Sequence, residues 1–443
     1  MRARSDVAVV GGGMLGLTLA LRLAEHGVPV TLLEAERAPG GLASAEELGG
    51  VTWDRFYHVL LLSDANLRRL LADLGLDGEV TWKATRTGFY GDGALHSLSS
   101  SLDFARFPLL SLTDKARLAA TILHASRVRD PRLLEAESVE GWLRRWSGDR
   151  VTERVWLPLL KSKLGENYRI TSAAFIWAII ARLYAARRSG LKRELFGYVG
   201  GGYARVLAAL RTRLETLGVR IESEARATRV TATAEGAAVE LADGRVVTAG
   251  RVVLTLPCPA ILSLCPALSG TERERLRSVV YQGIICASAL LRRPLGGYYV
   301  TNIVDEGVPF TGVIEMTALV DRATFGNRTL VYLPRYLAQD DPAWDLPDAD
   351  LEQSFRAGLR RLYPDLDEGD ILHLRIARAR QVLAISTLDY SSRCLPAFRT
   401  SMPNVFIANS AQIAHGTLNV NETIGIAETA ARELLEPRER AAA

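Results

Sequence analysis

A buried strand that runs straight into a glycine turn and a helix constrains this chain more than any other stretch. Asp6-Val7-Ala8-Val9-Val10 leads into Gly11-Gly12-Gly13-Met14-Leu15-Gly16. An apolar helical segment follows from Leu17 to His26 and closes at Gly27. A second buried strand, Val28 to Leu33, then ends in Glu34. Strand, glycine turn, helix, strand and acid in this order form a cradle for a dinucleotide. Gly11 permits the tight turn, Gly13 lets backbone approach a pyrophosphate, and Gly16 lets the helix lie close to the sheet. The helix start, at Met14 and Leu15, points unpaired N–H groups and a positive dipole end at the phosphates. Glu34 sits where a carboxylate can accept hydrogen bonds from ribose hydroxyls.

The next residues narrow the cofactor. Glu34-Ala35-Glu36-Arg37-Ala38-Pro39-Gly40-Gly41-Leu42-Ala43 resembles the second signature of a superfamily of FAD enzymes. That superfamily joins flavin-containing amine oxidases, protoporphyrinogen oxidases, phytoene desaturases and UDP-galactopyranose mutase. The resemblance implies that Gly40 and Gly41 lie against the flavin's phosphate and ribityl region, with Ala35 and Leu42 beside them. It also implies a second glycine-led helix after Gly200-Gly201-Gly202-Tyr203 and a following hairpin that holds the adenine end, with Val230 in that hairpin. Near the C-terminus, Ala408-Asn409-Ser410 and then Gly416 to Thr423 resemble the third signature, where a helix N-terminus points at the flavin ring. Ser410, Asn419, Val420 and Asn421 are the positions this carries over. Here Asn409-Ser410 replaces the Gly-Asp of relatives, so a carboxylate that commonly touches the ribityl chain is absent. Asn419 and Asn421 also read as ordinary helix caps.

The 443 residues, 48% of them hydrophobic, are enough for two cores. The four cysteines, Cys258, Cys265, Cys286 and Cys394, form no C-x-x-C pair and no zinc spacing, so no metal site is expected and a reducing, cytoplasmic setting is. No apolar run reaches membrane-spanning length, and none of the familiar nucleic-acid modules stands out. The net charge is +4, and residues 101–200 alone carry 18 basic against 10 acidic side chains. That excess suits an anionic substrate or a peripheral membrane contact; a solvated helical face is the plainer alternative. Oligomeric state is left open.

Along the chain, residues 86–195 read as mainly helical, with helices over Asp114 to Arg127, Ser138 to Trp146 and Ala173 to Arg187 and N-caps at Thr113 and Ser138. Strands are expected at Thr228 to Thr233, Ala237 to Leu241, Val246-Val247 and Arg251 to Leu256. Residues 275–390 read as an antiparallel sheet roofing a cavity, with one helix from Asp350 to Tyr363. The expected fold is α/β: a Rossmann-like, three-layer FAD-binding domain with a parallel sheet, assembled from discontinuous segments (1–85, 196–270 and 395–435). An α+β substrate domain (86–195 and 271–394) with an antiparallel sheet and helical cap accompanies it, and 436–443 form a flexible tail.

Catalytic candidates are fewer. Val51-Thr52-Trp53-Asp54-Arg55-Phe56-Tyr57-His58 resembles the mutase segment that brings a histidine to the flavin, so His58 can hydrogen-bond the cofactor or move a proton. Lys161 or Lys163 can face the cavity and pair with an anion, and Tyr281 is a candidate cavity aromatic; packing is the competing role for each. No cysteine lies near a flavin signature, so the FAD is expected to be non-covalent. The resemblance implies an FAD-dependent oxidoreductase that takes a hydride from a C–H or N–H bond of a small molecule. The alternative is a non-redox flavoenzyme acting on a sugar nucleotide, as the mutase does.

Overall fold

The computed structural model describes residues 5–187 and 195–436, apart from 98, 100–102, 104, 105 and 109. Arg188, Lys192 and Arg193 of the basic region, and the expected tail from 437 onward, lie outside the described residues.

The first sheet has seven strands. Arg220–Glu222, Val30–Leu33, Ser5–Val10 and the end of Val246–Leu254 lie side by side and parallel, and Val405–Ile407 adds a further parallel pairing to Val246–Leu254. Ala227–Thr233 and Gly236–Leu241 extend the other side as an antiparallel hairpin. Alternation along Ser5–Val10 decides what each face meets. Val7 and Val9 join Leu17, Leu21, Leu210, Ile424 and Ala427 in a core beneath three helices, Met14–Glu25, Gly202–Thr216 and Val420–Leu435. Ala8 and Val10 face the opposite way, into a core with Leu33, Val239, Leu254 and Ile261. The body is therefore three-layered.

The second sheet runs in the order Ile371–Ala384, Tyr281–Leu291, Thr329–Leu337, Gly312–Glu315, Val300–Ile303, Thr87–Gly91, Ala94–Ser97. Every pairing is antiparallel except Val300–Ile303 with Thr87–Gly91. All eleven residues of Tyr281–Leu291 are buried because both faces are covered. One face packs Ile285, Ala287 and Ala289 against the helix Asp348–Leu362. The other packs Ile284, Cys286 and Leu290 against Trp53, Phe56, Tyr299 and Tyr332. Four helices, Leu112–Ala125, Val139–Ser147, Leu157–Leu164 and Ala173–Arg187, form the cap around Trp142 and Phe175.

Several expectations need correction. The stretch from 86 does not begin helical: Thr87–Gly91 and Ala94–Ser97 form a hairpin whose turn residues Asp92 and Gly93 both have positive φ (52° and 74°), the hairpin geometry that Asp-Gly favours. The first cap helix starts at Ser111, not Thr113, because Ser111 and Asp114 complete a reciprocal capping box. Ser138 does cap Val139–Ser147. Val246–Leu254 is one strand where two were expected, pairing antiparallel at its start and parallel at its end. The long strand Ile371–Ala384 was missed, since its arginines at 375, 378 and 380 obscure the apolar alternation. Among the described residues, no helix is long and apolar enough to cross a membrane.

The cap is fastened to the first body by an ion pair. Asp64, 2% exposed, receives Arg182 from the helix Ala173–Arg187 at 2.9 Å and the Leu61 N–H at 2.8 Å. Removing the carboxylate leaves a half-buried guanidinium and a buried N–H without their acceptor. We predict that Asp64→Ala lowers stability by about 3 kcal/mol, read by urea unfolding, and that Asp64→Asn costs less because it retains an acceptor for the amide.

Candidate functional site

The cradle is built from backbone. Gly11, at φ 111°, turns the chain out of its strand, and a Cβ on Gly16 would fall 1.9 Å from the Gly11 carbonyl oxygen. Both glycines are thus demanded by the protein itself. Gly13 differs: a Cβ there would meet nothing within 4 Å, so the space beside it is open on the ligand side. Gly13 caps the helix Met14–Glu25 without a side-chain bond, leaving the N–H groups of Met14 and Leu15 in its first turn. The Gly40 N–H donates to the Gly12 carbonyl at 2.8 Å, and Gly41, at φ 56°, comes so close to Gly13 that a Cβ would lie 3.2 Å from its Cα. The two glycine segments therefore meet as one surface. Glu34 accepts the Gly12 N–H at 2.7 Å on one oxygen and the Glu36 N–H at 2.8 Å on the other. That fixes the carboxylate while leaving lone pairs for hydroxyl donors. Ala35 is half-buried beside it, and Leu42 packs under the aromatic layer. These groups fit a dinucleotide.

Thr255 was not singled out in the sequence. Its hydroxyl lies 3.0 Å from both the Val10 and Gly11 carbonyls and pins the glycine turn from the neighbouring strand. Val230 is placed differently from expectation: its side chain is 1% exposed, in the core behind the first sheet, and serves packing.

In the third segment, buried Asn409 donates from Nδ2 to the Leu256 carbonyl at 2.8 Å and accepts the Ala411 N–H at 3.1 Å. It stitches the loop to the first sheet, which explains why an amide can stand in this position; half-buried Ser410 follows it. The two later asparagines are caps. Asn419 Oδ1 accepts the Glu422 N–H of its own helix at 3.0 Å. Asn421 Oδ1 accepts the Asn66 and Leu67 N–H groups at 2.9 and 3.2 Å and so caps a different helix, Ala65–Asp73. What this helix start offers a ligand is the backbone N–H groups of Val420 and Asn421, not the asparagine amides.

The catalytic candidates separate. Tyr281 is 3% exposed behind the first sheet, with its hydroxyl accepting the Cys258 N–H at 3.2 Å; it is a satisfied core residue. Lys161 is exposed on the rim of a surface groove of about 460 Å³ between the helix Leu157–Leu164 and residues 303–311, with Glu153, Ser162, Asp305 and Glu306 also on the rim. It faces outward, away from the cradle. Lys163, on the inward side, sets its ammonium 4.9 Å from the Tyr336 ring centroid.

His58 belongs to a buried cluster. Its ring lies 4.8 Å from the ring of Tyr203, the residue that follows the Gly200-Gly201-Gly202 turn, and its Nδ1 is 3.9 Å from Asp54 Oδ2, beyond hydrogen-bond range. The Tyr203 N–H donates to Asp54 Oδ1 at 2.7 Å. Among the described residues, His58 Nδ1 and Tyr203 Oη are buried without hydrogen-bond partners. Burial pushes Asp54 up to about 7, against the pull of the Tyr203 N–H, and pushes His58 down to about 4. Asp54 and Tyr203 were not marked as site residues in the sequence.

These two shifts act oppositely on stability. Between about pH 4 and 7 the folded protein holds a proton on Asp54 that the unfolded chain releases, so stability falls as pH rises. Between about pH 4 and 6.5 the unfolded chain holds a proton on His58 that the folded protein refuses, so stability rises with pH. The slopes, each about 1.4 kcal/mol per pH unit, cancel over the shared window. We predict that His58→Asn unmasks a decline in stability from pH 4.5 to 6.5, read by urea unfolding at several pH values, and that Asp54→Asn reverses its sign.

The comparisons with known proteins agree with this geometry. The family described as flavin containing amine oxidoreductase matches residues 15–435. Coproporphyrinogen III oxidase of Mycobacterium tuberculosis is 26% identical over 292 residues, which cover 61% of this chain and 63% of that protein. The 15-cis-phytoene desaturase of Narcissus pseudonarcissus is 23% identical over 59% of this chain and 49% of its own. The chain thus spans about half to two thirds of the length of these curated relatives. Among solved structures, a candidate protoporphyrinogen oxidase from Exiguobacterium superposes with a TM-score of 0.76 at 18% identity, over 98% of this chain and 99% of that one. With the family matched across nearly the whole sequence and its cofactor cradle in place, the chain belongs to the flavin-containing amine oxidoreductases.

Proposed function

We propose that the protein is an FAD-dependent oxidoreductase that removes a hydride from a C–H or N–H bond of a small molecule, by dehydrogenation, desaturation or amine oxidation. On this reading residues 1–85, 196–270 and 395–435 hold the cofactor, while 86–195 and 271–394 hold the substrate. The observation that carries it is the meeting of both glycine segments at the carboxyl end of the Ser5–Val10 strand, with Val420 in one core with Met14, Leu15 and Ala43, and Leu42 against a layer of buried aromatic side chains.

FAD, when bound, supplies a ring nitrogen that accepts the hydride. The chain's own part is holding and shielding. The N–H groups of Met14 and Leu15 and the open face at Gly13 suit the pyrophosphate; Glu34 suits the ribose. The N–H groups of Val420 and Asn421 favour negative charge at the flavin end. Trp53, Phe56, Tyr299 and Tyr332 keep water from the reacting bond. Buried His58 is neutral at pH 7 and can donate or accept one hydrogen bond without adding charge. The sugar-nucleotide alternative is not favoured, because the matched family and relatives are oxidases and desaturases.

Anaerobic addition of a panel of amines, polyenes and sugar nucleotides to the yellow protein tests the reaction. Bleaching of the flavin absorbance by an amine or alkene is the expected result; isomerisation of a sugar nucleotide with no net electron transfer would overturn it. The cradle has its own test. Gly13→Asp is expected to fold with unchanged helical content yet bind FAD at least ~100-fold more weakly, because its carboxylate meets the phosphates. Gly16→Ala is expected to lose folded protein instead, because its methyl has only the Gly11 carbonyl to enter.

A further inference from the structure

We propose that the inner face of the helix Leu157–Leu164, set against the second sheet, is a receptor for a single carboxylate on an otherwise apolar substrate, with Lys163 as its cation. The proposal rests on the reading of the second body as the substrate side of a flavoenzyme.

Four side chains from four parts of the chain converge there, and three of the groups they leave open are donors. Lys163 is half-buried, and its ammonium rests on the Tyr336 ring, 4.9 Å from the centroid. Among the described residues it has no carboxylate partner within ion-pair distance. Tyr336 and Tyr57 place their hydroxyls 2.7 Å apart. One bond between two hydroxyls uses one of their two protons, so the pair keeps one proton for an outside acceptor. Burial holds both phenols above their ordinary range, so both protons are present at neutral pH.

Gln282 is the fourth. It is fully buried, and its Oε1 accepts the Asn167 Nδ2 at 2.7 Å, which fixes the orientation of the amide. Its Nε2 is then a donor with no partner among the described residues. Ile284 stands opposite Tyr336 in the sheet, and Gln282 lies two residues before Ile284 on the same strand, across a register irregularity against Ile371–Ala384, so the side Gln282 takes is read from its contact with the helix end. Gly165, two residues past Lys163, brings the end of the helix over this face: a Cβ on it would lie 3.7 Å from Gln282 Nε2. A buried unpaired amide donor is costly unless something accepts from it.

An ammonium, a hydroxyl proton and an amide N–H, with no carboxylate among the four side chains, favour an anion. One full positive charge among neutral donors matches a monoanion better than a doubly charged phosphate. The neighbours of Tyr57 and Tyr336 in this layer include Phe56, Ile284 and Cys286, so the part of the ligand beside them should be apolar. The carboxylate would anchor one end of the molecule while the bond to be oxidised lies toward the cradle.

The test is calorimetric titration of the purified holoprotein with octanoate and with the neutral octanamide, which needs no turnover. Octanoate is expected to bind at least ~10-fold more tightly than octanamide. Lys163→Met should weaken octanoate about 10- to 100-fold and leave octanamide within twofold, and Lys163→Arg should restore part of the loss. Tyr57→Phe should weaken octanoate about 3- to 10-fold. Circular dichroism and flavin content matching the unsubstituted protein exclude misfolding as the cause. Equal affinity for the two ligands, octanoate binding untouched by Lys163→Met, or no octanoate binding up to millimolar concentration would each overturn the proposal. Failure of the flavoenzyme reading shows separately, as a protein that stays colourless after FAD is added.

Discussion

A helix can aim its N-terminus at a phosphate only if it can press against the strand that leads into it. Here that pressure is concentrated at one contact, Gly16 against the Gly11 carbonyl, where no larger side chain fits. Everything downstream in the site depends on it. The close approach sets the direction of the Met14–Glu25 helix, and that direction places the first-turn N–H groups. The turn so formed gives Gly40 a carbonyl to bind, which brings the second glycine segment alongside the first. Thr255, from the strand next door, locks the same turn by bonding two successive carbonyls. The cradle is therefore an outcome of sterics and backbone hydrogen bonding, and the ligand's negative charge meets a shape that already exists.

The aromatic layer above the cradle follows a different physical rule. Its polar groups are not paired into salt bridges but are pressed toward neutrality by burial. Asp54 is held near half-protonation at neutral pH, His58 is uncharged, and Tyr57 and Tyr336 keep their protons. Low local polarity strengthens each remaining hydrogen bond and penalises any charge a ligand brings in unanswered. Lys163 stands as the exception, an ammonium against an aromatic face.

How much of this could be read from the sequence depended on distance along the chain. The glycine turn, Glu34 and the paired Gly40-Gly41 are local constraints, written within a few dozen residues, and sequence spacing sufficed to find them. Asp54 and Tyr203 are 149 residues apart, and nothing local to either says that the amide of one binds the carboxylate of the other. Asn421 looked like a cap or a cofactor contact; it is a cap, but for a helix 355 residues earlier. Lys161 and Lys163 could not be told apart while the helix that carries them had no sheet to lie on. The hairpin at Asp92-Gly93 was legible in principle, and was lost to the helical pattern that dominates the residues after it.

The strand Val246–Leu254 pairs with Ser5–Val10 on one side and with Val405–Ile407 on the other, and the helix Val420–Leu435 shares a core with the helix Met14–Glu25. The cradle's own foundation is thus completed by residues 405–435, about 400 positions downstream of the glycine turn. During synthesis, at about 5 to 20 residues per second, the glycine turn would wait roughly 20 to 80 s for the segment that closes its sheet. Through that interval Val7, Val9, Leu17 and Leu21 have only partial cover. Until residues 405–435 have been made, an emerging chain of this design is exposed to aggregation and lacks the segment that completes its cradle.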